Sequence, residues 1–175
     1  MDVSEAIRLK RAVREFADRP LPDDVARHIL WAGRRAQSAK NTQPWHFVAV
    51  RERSTLQALA GLGSYAQHLA GAALGVALLT PDPAQRWSIL FDAGQAAAYM
   101  QLAAWELGVG SCLATIYQPD AARAVLGFPP DLHLHVAISF GYPADPAVLR
   151  QAPRAGGRRQ VAEAVHHDRW TPAQV

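Results

Sequence analysis

The chain contains a single cysteine, Cys112. A lone thiol excludes a disulfide framework, a thiolate metal cage and a dithiol redox pair, and leaves a buried, inert side chain as the default. No run approaches the roughly 20 apolar residues that a membrane helix requires. The opening Met1-Asp2-Val3-Ser4-Glu5 also lacks the basic-then-apolar profile of a secretory signal. A cytoplasmic protein without membrane contact is expected. Nucleotide-phosphate signatures are missing too: there is no P-loop, and Gly61/Gly63 and Gly108/Gly110 lack a third glycine and follow helical patterns. These glycines read as helix stops. With no Gly-x-Ser-x-Gly elbow and no activating partner near Cys112, a nucleophile triad has no support. His133 and His135 stand two apart on a strand pattern and His166-His167 lies in the tail, but no third ligand follows at a metal-binding spacing. No metal site is therefore assigned. Nucleic-acid binding lacks both aromatic interleaving and a recognisable module.

What is present suffices for one packed domain spanning residues 1–175, since half of the residues are apolar and 19% are charged. The formal charge of +3 matters less than its distribution. Arg8, Lys10, Arg11, Arg14 and Arg19 gather near one end, and Arg150, Arg154, Arg158 and Arg159 near the other. Chain ends often meet in a compact domain, so the clusters either converge on one anion or form two solvated basic faces.

Hydrophobic periodicity orders the rest. A short helix is expected over residues 4–11, with Val3, Ala6 and Ile7 on its apolar side. A second runs from Pro22, with Asp23 and Asp24 in its first turn, to about Ala36, with Val25, Ile29 and Ala32 as its stripe. A strand follows over 45–50, then a helix capped by Ser54 that buries Leu56, Leu59 and Ala60. Leu74 to Thr80, closed by Pro81, reads as a buried strand. The longest helix spans Ser88 to Leu107, stopped by Gly108. It is apolar nearly all round, broken mainly by Asp92, Gln95, Gln101 and Glu106, and so must be buried on most sides, in a core or against a second subunit. Ser111 to Ile116 and Leu134 to Phe140 are further strands, with a short helix from Pro119 to Leu126 between them. Residues 141–175 read as an arm lying on something else. Interspersed helices and strands of this kind give an α+β or α/β layer protein.

One stretch stands apart: Ser38-Ala39-Lys40-Asn41-Thr42-Gln43-Pro44-Trp45 crowds hydrogen-bonding side chains into a turn beside a large aromatic. Together with the arginine clusters, such a turn suits a planar, polar-edged, phosphorylated ligand. This turn resembles the Ser-x-x-Asn-x-Gln-Pro-Trp signature of the FMN-dependent nitroreductase family. Lys10-Arg11-Ala12-Val13-Arg14-Glu15-Phe16 resembles that family's N-terminal motif. Asp92-Ala93-Gly94 through Leu102-Ala103-Ala104 to Gly108-Val109-Gly110-Ser111-Cys112 resembles its central helix and following strand. Gly141-Tyr142-Pro143, with Gly157-Arg158-Arg159, Val165-His166 and Arg169-Trp170, resembles its tail. The four segments occur in the family's order and span nearly the whole chain.

The resemblance implies a nitroreductase-like sandwich: a mainly antiparallel central sheet flanked by helices, in an intertwined homodimer whose arm, residues 141–175, wraps the partner. It implies bound FMN, with Lys10, Arg11 and Arg158 at the phosphate. Ala12 and Gln37 are counted among the cofactor-binding residues. Arg14 would lie near the pyrimidine side of the ring, and Ser38, Ala39 and Asn41 would reach the ribityl chain and ring edge across the dimer. Backbone groups around Leu113, Thr115 and Ile116 would lie along the flavin. No side chain is assigned as a catalytic acid. The implied reaction is ping-pong hydride transfer from NAD(P)H to a small oxidant such as a nitroaromatic, quinone or enone. The alternatives are dehalogenase or flavin-fragmenting chemistry, or a non-catalytic FMN-sequestering protein. Two positions depart from the family pattern: Ala12 replaces a hydroxyl, and Gly156 stands where some members place a cation. The chain also lacks a long insertion before the central helix, which implies an open site.

Overall fold

The computed structural model describes residues 2–151 and 158–170, so Arg154, Gly156 and Gly157, singled out above, lie outside the described residues. Four strands, β1 (His46–Val50), β2 (Leu74–Thr80), β3 (Gly110–Thr115) and β4 (His133–Gly141), form one sheet in the order β1-β2-β4-β3. Every neighbouring pair is antiparallel. β2 is buried along its whole length, as its uninterrupted apolar run requires. Its side chains alternate between two cores. Leu74, Val76 and Leu78 join Ile138 and Phe140 on one face, beneath helices α2 (Asp23–Arg34) and α4 (Ser88–Glu106). Ala77 and Leu79 join Leu134 and Ala137 on the other, beneath α3 (Arg53–Ala60) and α5 (Pro119–Leu126). The result is an α+β sandwich of two helical layers around an antiparallel sheet.

α2 approaches α4 closely at Gly33, where an added Cβ would come within 2.7 Å of Met100 Cγ. α4 ends at Gly108, whose φ of +73° suits glycine. The Val109 N–H then returns to the Ala104 carbonyl at 2.9 Å, closing a Schellman motif.

Three expectations change. α1 occupies Val3–Leu9, not 4–11, and buries Ala6 and Leu9 while Val3 and Ile7 face solvent. Lys10 and Arg11 therefore leave the helix and begin an extended segment. α2 stops at Arg34, two residues before Ala36, and along it the buried residues are Ala26, Ile29 and Gly33. Ser54 does not cap α3; Glu52 occupies that position and accepts hydrogen bonds from the Ser54 and Thr55 hydroxyls instead. α4 buries Ile89, Asp92, Ala93, Ala96, Ala97, Met100, Gln101, Ala104 and Trp105, and leaves Leu90, Phe91 and Tyr99, with Trp87 at its N-cap, exposed along one side.

The first part of the region read as an arm packs on its own chain. The Ala17 N–H donates to the Tyr142 carbonyl and the Ala144 N–H to the Glu15 carbonyl. Val148 and Leu149 pack on Leu9, Val13 and Trp105. Residues 158–170 are different in kind. They contain the short helix α6 (Val161–Ala164) and expose Val161, Val165 and Trp170.

Candidate functional site

The N-terminal cations reach the sheet because glycine makes room for them. Gly110 and Gly141 face each other across β3 and β4. A Cβ on Gly110 would lie 2.7 Å from Val13 Cβ, and one on Gly141 would lie 2.8 Å from Phe16 Cδ1. The absent side chains let the segment from Ala12 to Phe16 lie down on the sheet. Ala12 bridges Ser111 in parallel, and Phe16 bridges Pro143. Lys10, Arg11, Ala12 and Arg14 are thereby gathered at the start of β3.

β3 is an edge strand, and its outer edge has a definite polarity. The Val13 N–H donates to the Ser111 carbonyl at 2.9 Å. Alternation along an antiparallel strand turns the main-chain groups of Leu113 and Thr115 the same way. Consistently, the Ile116 N–H points inward to the His135 carbonyl, while the Tyr117 N–H points outward to Leu62. Leu113 and Thr115 also expose their side chains. Ile116 is placed differently from these neighbours, with its side chain in the core beside α3 and α5.

Lys10 is half-buried, and its ammonium donates to Gln101 Oε1 at 2.8 Å. Burial lowers its pKa, opposed by attraction to Cys112. The Arg11 guanidinium donates to the carbonyls of Leu9 and Gln151, so the N-terminal cluster does meet the chain just past Arg150. Arg14 lines a cavity with Ser64, Tyr65, Gln67 and His68. His68 is buried, and its Nδ1 lies 2.7 Å from Ser139 Oγ, whose hydroxyl is 3.3 Å from the Cys112 carbonyl. Burial lowers the His68 pKa, the Arg14 guanidinium lowers it further, and the Leu113 carbonyl opposes both. Cys112 itself is buried, and burial raises its thiol pKa against the pull of Arg14 and Lys10, which suits an inert thiol.

The polar turn lies elsewhere. Residues Ala39–Asn41 make one 3-10 turn, and Pro44 and Trp45 bury themselves behind it, tying it to β1. Lys40, Asn41 and Gln43 all have positive φ, between 47° and 54°. For residues other than glycine this costs about 1–2 kcal/mol each, so the surroundings must enforce it. Ser38 Oγ accepts the Gln43 N–H at 2.9 Å, and the Thr42 hydroxyl donates to the Ala39 carbonyl at 3.1 Å. Ser38 and Ala39 are half-buried; Gln37 and Asn41 are exposed.

Within one chain these two groups stay apart. Lys10 touches α4 at Gln101 and Ala39 touches it at Asp92, roughly 14 Å away along the helix axis. The turn leads into β1 and the cations flank β3, the two opposite edges of the sheet. Arg158 lies at the surface ahead of α6. Three buried polar residues escaped sequence reasoning as parts of the site: Asp92, Gln101 and His68. The signal for the first two was available, as polar interruptions in an apolar helix that prove to be buried. His133 and His135 do face one side, with rings stacked 6.3 Å apart, but no group of three or more metal-ligating side chains occurs among the described residues.

A family model described as the nitroreductase family matches residues 7–74 and 62–142. A relative from Archaeoglobus fulgidus, provisionally named an NADH dehydrogenase/NAD(P)H nitroreductase, is 30% identical over 170 residues, covering 92% of this chain and 94% of its own. The NADH dehydrogenase of Thermus thermophilus is 29% identical over 182 residues, covering 83% and 88%. The chain belongs to the nitroreductase family. Solved structures agree in fold. An FMN-dependent nitroreductase from Clostridium difficile superposes with a TM-score of 0.84 at 24% identity, over 96% of this chain and all of its own. The NADPH:FMN oxidoreductase of Vibrio harveyi gives 0.83 at 20% identity, over 98% and 79%.

Proposed function

We propose that the protein is an NAD(P)H-dependent FMN oxidoreductase acting as a homodimer, with each flavin held between the β3 edge of one protomer and the Ser38–Asn41 turn of the other. The observation that carries this reading is the row of cations laid along β3 by the Gly110 and Gly141 contacts. Beside it stand the outward-facing main-chain groups of Leu113, while the Thr115 carbonyl lies against Gly63. That donor set fits FMN: Lys10 and Arg11 suit a phosphate dianion, and strand-edge amides and carbonyls suit the heteroatoms of the ring. Ser111 Oγ, buried beside Ala12 without a hydrogen-bond partner, is a further polar group at that edge.

FMN held there would supply the redox chemistry, hydride transfer from NAD(P)H to a small oxidant such as a nitroaromatic, quinone or enone. The chain's own residues bind and orient. Lys10, whose charge is disfavoured by burial, gains most from an anion placed beside it. Arg14, at the cavity with His68, would stabilise negative charge developing on the pyrimidine side of the ring. Arg158 adds a cation to the phosphate site, and Gln37, Ser38, Ala39 and Asn41 belong to the partner's half.

A second copy of the chain is supported by two features. The two groups of site residues sit at opposite sheet edges, and α4 exposes Trp87, Phe91, Gly94 and Ala98 along one stripe. A Cβ at Gly94 would meet nothing within 4 Å. Such a stripe of small and aromatic residues suits a facing helix.

The test is a visible absorption spectrum of the purified protein, before and after NAD(P)H is added without oxygen. Flavin bands that bleach are expected. A protein that is colourless and takes up no added FMN sinks the reading, while bound flavin that NAD(P)H cannot bleach favours the sequestering alternative, consistent with Ala12 in place of a hydroxyl.

A further inference from the structure

Asp92 is 3% exposed, in the second turn of α4, in a helix otherwise built for apolar contact. A buried carboxylate is costly unless its oxygens are occupied. Both face one group: the Ala39 N–H lies 3.2 Å from Oδ1 and 3.1 Å from Oδ2. The Arg86 guanidinium lies 4.0 Å from Asp92 Oδ2 and donates to Thr42 Oγ1 at 2.8 Å. The Thr42 hydroxyl in turn donates to the Ala39 carbonyl. The ring of contacts is closed, and both the N–H and the carbonyl of Ala39 are tied to the Asp92/Arg86 pair.

Capping does not explain this carboxylate. The residue at the N-cap of α4 is Trp87, without a side-chain cap, and Asp92 is aimed at the turn instead. The turn itself is mostly exposed and holds three non-glycine residues at positive φ. A buried charge spent on an exposed, unfavourable loop makes sense if the loop's shape is what is being maintained.

We propose that Asp92, with Arg86, is a positioning residue that pre-forms the Ser38–Asn41 turn for the cofactor, an inference that rests on the functional reading above. It refines the role of Ala39. Its N–H is committed to Asp92 and does not contact the ligand. The groups left to present are the Ser38 hydroxyl proton, whose oxygen already accepts Gln43 N–H, and the exposed Asn41 amide. Pre-forming the turn removes an ordering cost from binding, so its loss is read in affinity.

The experiment is an FMN titration by quenching of flavin fluorescence, alongside thermal melting of the FMN-free protein. Wild type is compared with Asp92→Ala, Asp92→Asn, Thr42→Val and, as a core control remote from the turn, Leu59→Ala. Asp92→Ala is expected to weaken FMN by about tenfold or more, since it orphans a backbone donor. Asp92→Asn keeps an oxygen opposite the Ala39 N–H and recovers most of the affinity. Thr42→Val, at an exposed position that leaves folding intact, weakens FMN by about threefold. Leu59→Ala lowers the melting temperature and leaves affinity within about twofold of wild type, because it removes only packing. Unchanged affinity in Asp92→Ala overturns the inference, as does affinity that merely follows melting temperature across the set. If Asp92→Ala does not fold, unchanged affinity in Thr42→Val overturns it. A wild type that binds no FMN overturns the functional reading and this inference with it, whereas a binding wild type with an equally binding Asp92→Ala overturns this inference alone.

Discussion

The two halves of the proposed site are held in place by different physics. At the β3 edge the N-terminal segment is seated chiefly by shape, Val13 over Gly110 and Phe16 over Gly141, with main-chain bonds from Val13 to Ser111, Ala17 to Tyr142 and Ala144 to Glu15 running alongside. At the β1 edge the turn is seated by charge and hydrogen bonds, through Asp92, Arg86, Thr42 and Ser38. Close packing is insensitive to salt and pH but intolerant of a single methyl group. A polar network tolerates small changes of volume and fails when one partner is removed. The half that carries fixed cations is thus mounted rigidly, and the half that carries neutral donors hangs on a buried carboxylate and the partly exposed Arg86 beside it.

The largest effect should come from the cations. Lys10→Ala combined with Arg11→Ala removes two charge-assisted contacts and should weaken FMN by on the order of a hundredfold or more. Fluorescence-quenching titration reads it directly, and a loss below about threefold, the effect of a surface charge, removes these residues from the phosphate site. Next is the seat itself. Gly110→Ala drives a methyl group into Val13 and should cost about 1–3 kcal/mol of stability, measured by denaturant unfolding. FMN affinity should fall with it, since the segment that carries the cations must lift. If Gly110→Ala is neutral in both, the β3 half is not held by shape and the contrast between the halves collapses.

Much of this frame is legible in the sequence. Leu74–Thr80 and Pro119–Leu126 fall where composition places them, because a closing Pro81, an opening Pro119 and a Gly127 at φ +70° are local signals. Ile29, Leu56 and Leu59 are buried as periodicity requires. α1 is misread because seven residues give two turns, too few to separate one stripe from its neighbour; the tertiary seat of Val13 decides that Ala6 and Leu9 face inward. Uniform hydrophobicity in α4 indicates burial without saying by what, and a single chain leaves Phe91 at 65% exposure. In the site, residue types are legible and partners are not. Nothing near Asp92 in sequence announces Ala39, fifty-three positions away. The pairing of Gly110 with Gly141, which creates the seat, exists only once β3 and β4 are in register.

Arg14 sharpens the contrast in a different way, by testing whether the rigid half also tunes chemistry. Its guanidinium lowers the His68 pKa and shares a cavity with it, so its field reaches across the β3 edge. Arg14→Ala should lower the reduction potential of bound FMN by a few tens of millivolts, about 1–2 kcal/mol for a two-electron couple. Spectroelectrochemical titration checks this, and an unchanged potential assigns Arg14 to binding alone.

The smallest expected effect concerns a buried polar contact beneath the half held by shape. His68 bonds Ser139, and both lie beneath Cys112 and Leu113. Its folded pKa is lowered from the ordinary value of 6.5. With a depressed folded pKa, the unfolded chain binds the proton first as pH falls. The neutral-His68 contribution is therefore complete above about pH 6.5 and declines from there down through the folded pKa. Stability of the wild type should fall on that acidic side, and His68→Gln, which keeps a hydrogen-bonding group and removes the titration, should flatten the slope. Carboxylates that titrate lower are common to both proteins, so the comparison is of slopes between about pH 6.5 and 5. Equal slopes would show that His68 takes up its proton in the folded state as readily as in the unfolded chain. The β3 edge would then contain a solvent-relaxed histidine rather than a packed one, and rigidity would belong to the glycine contacts alone.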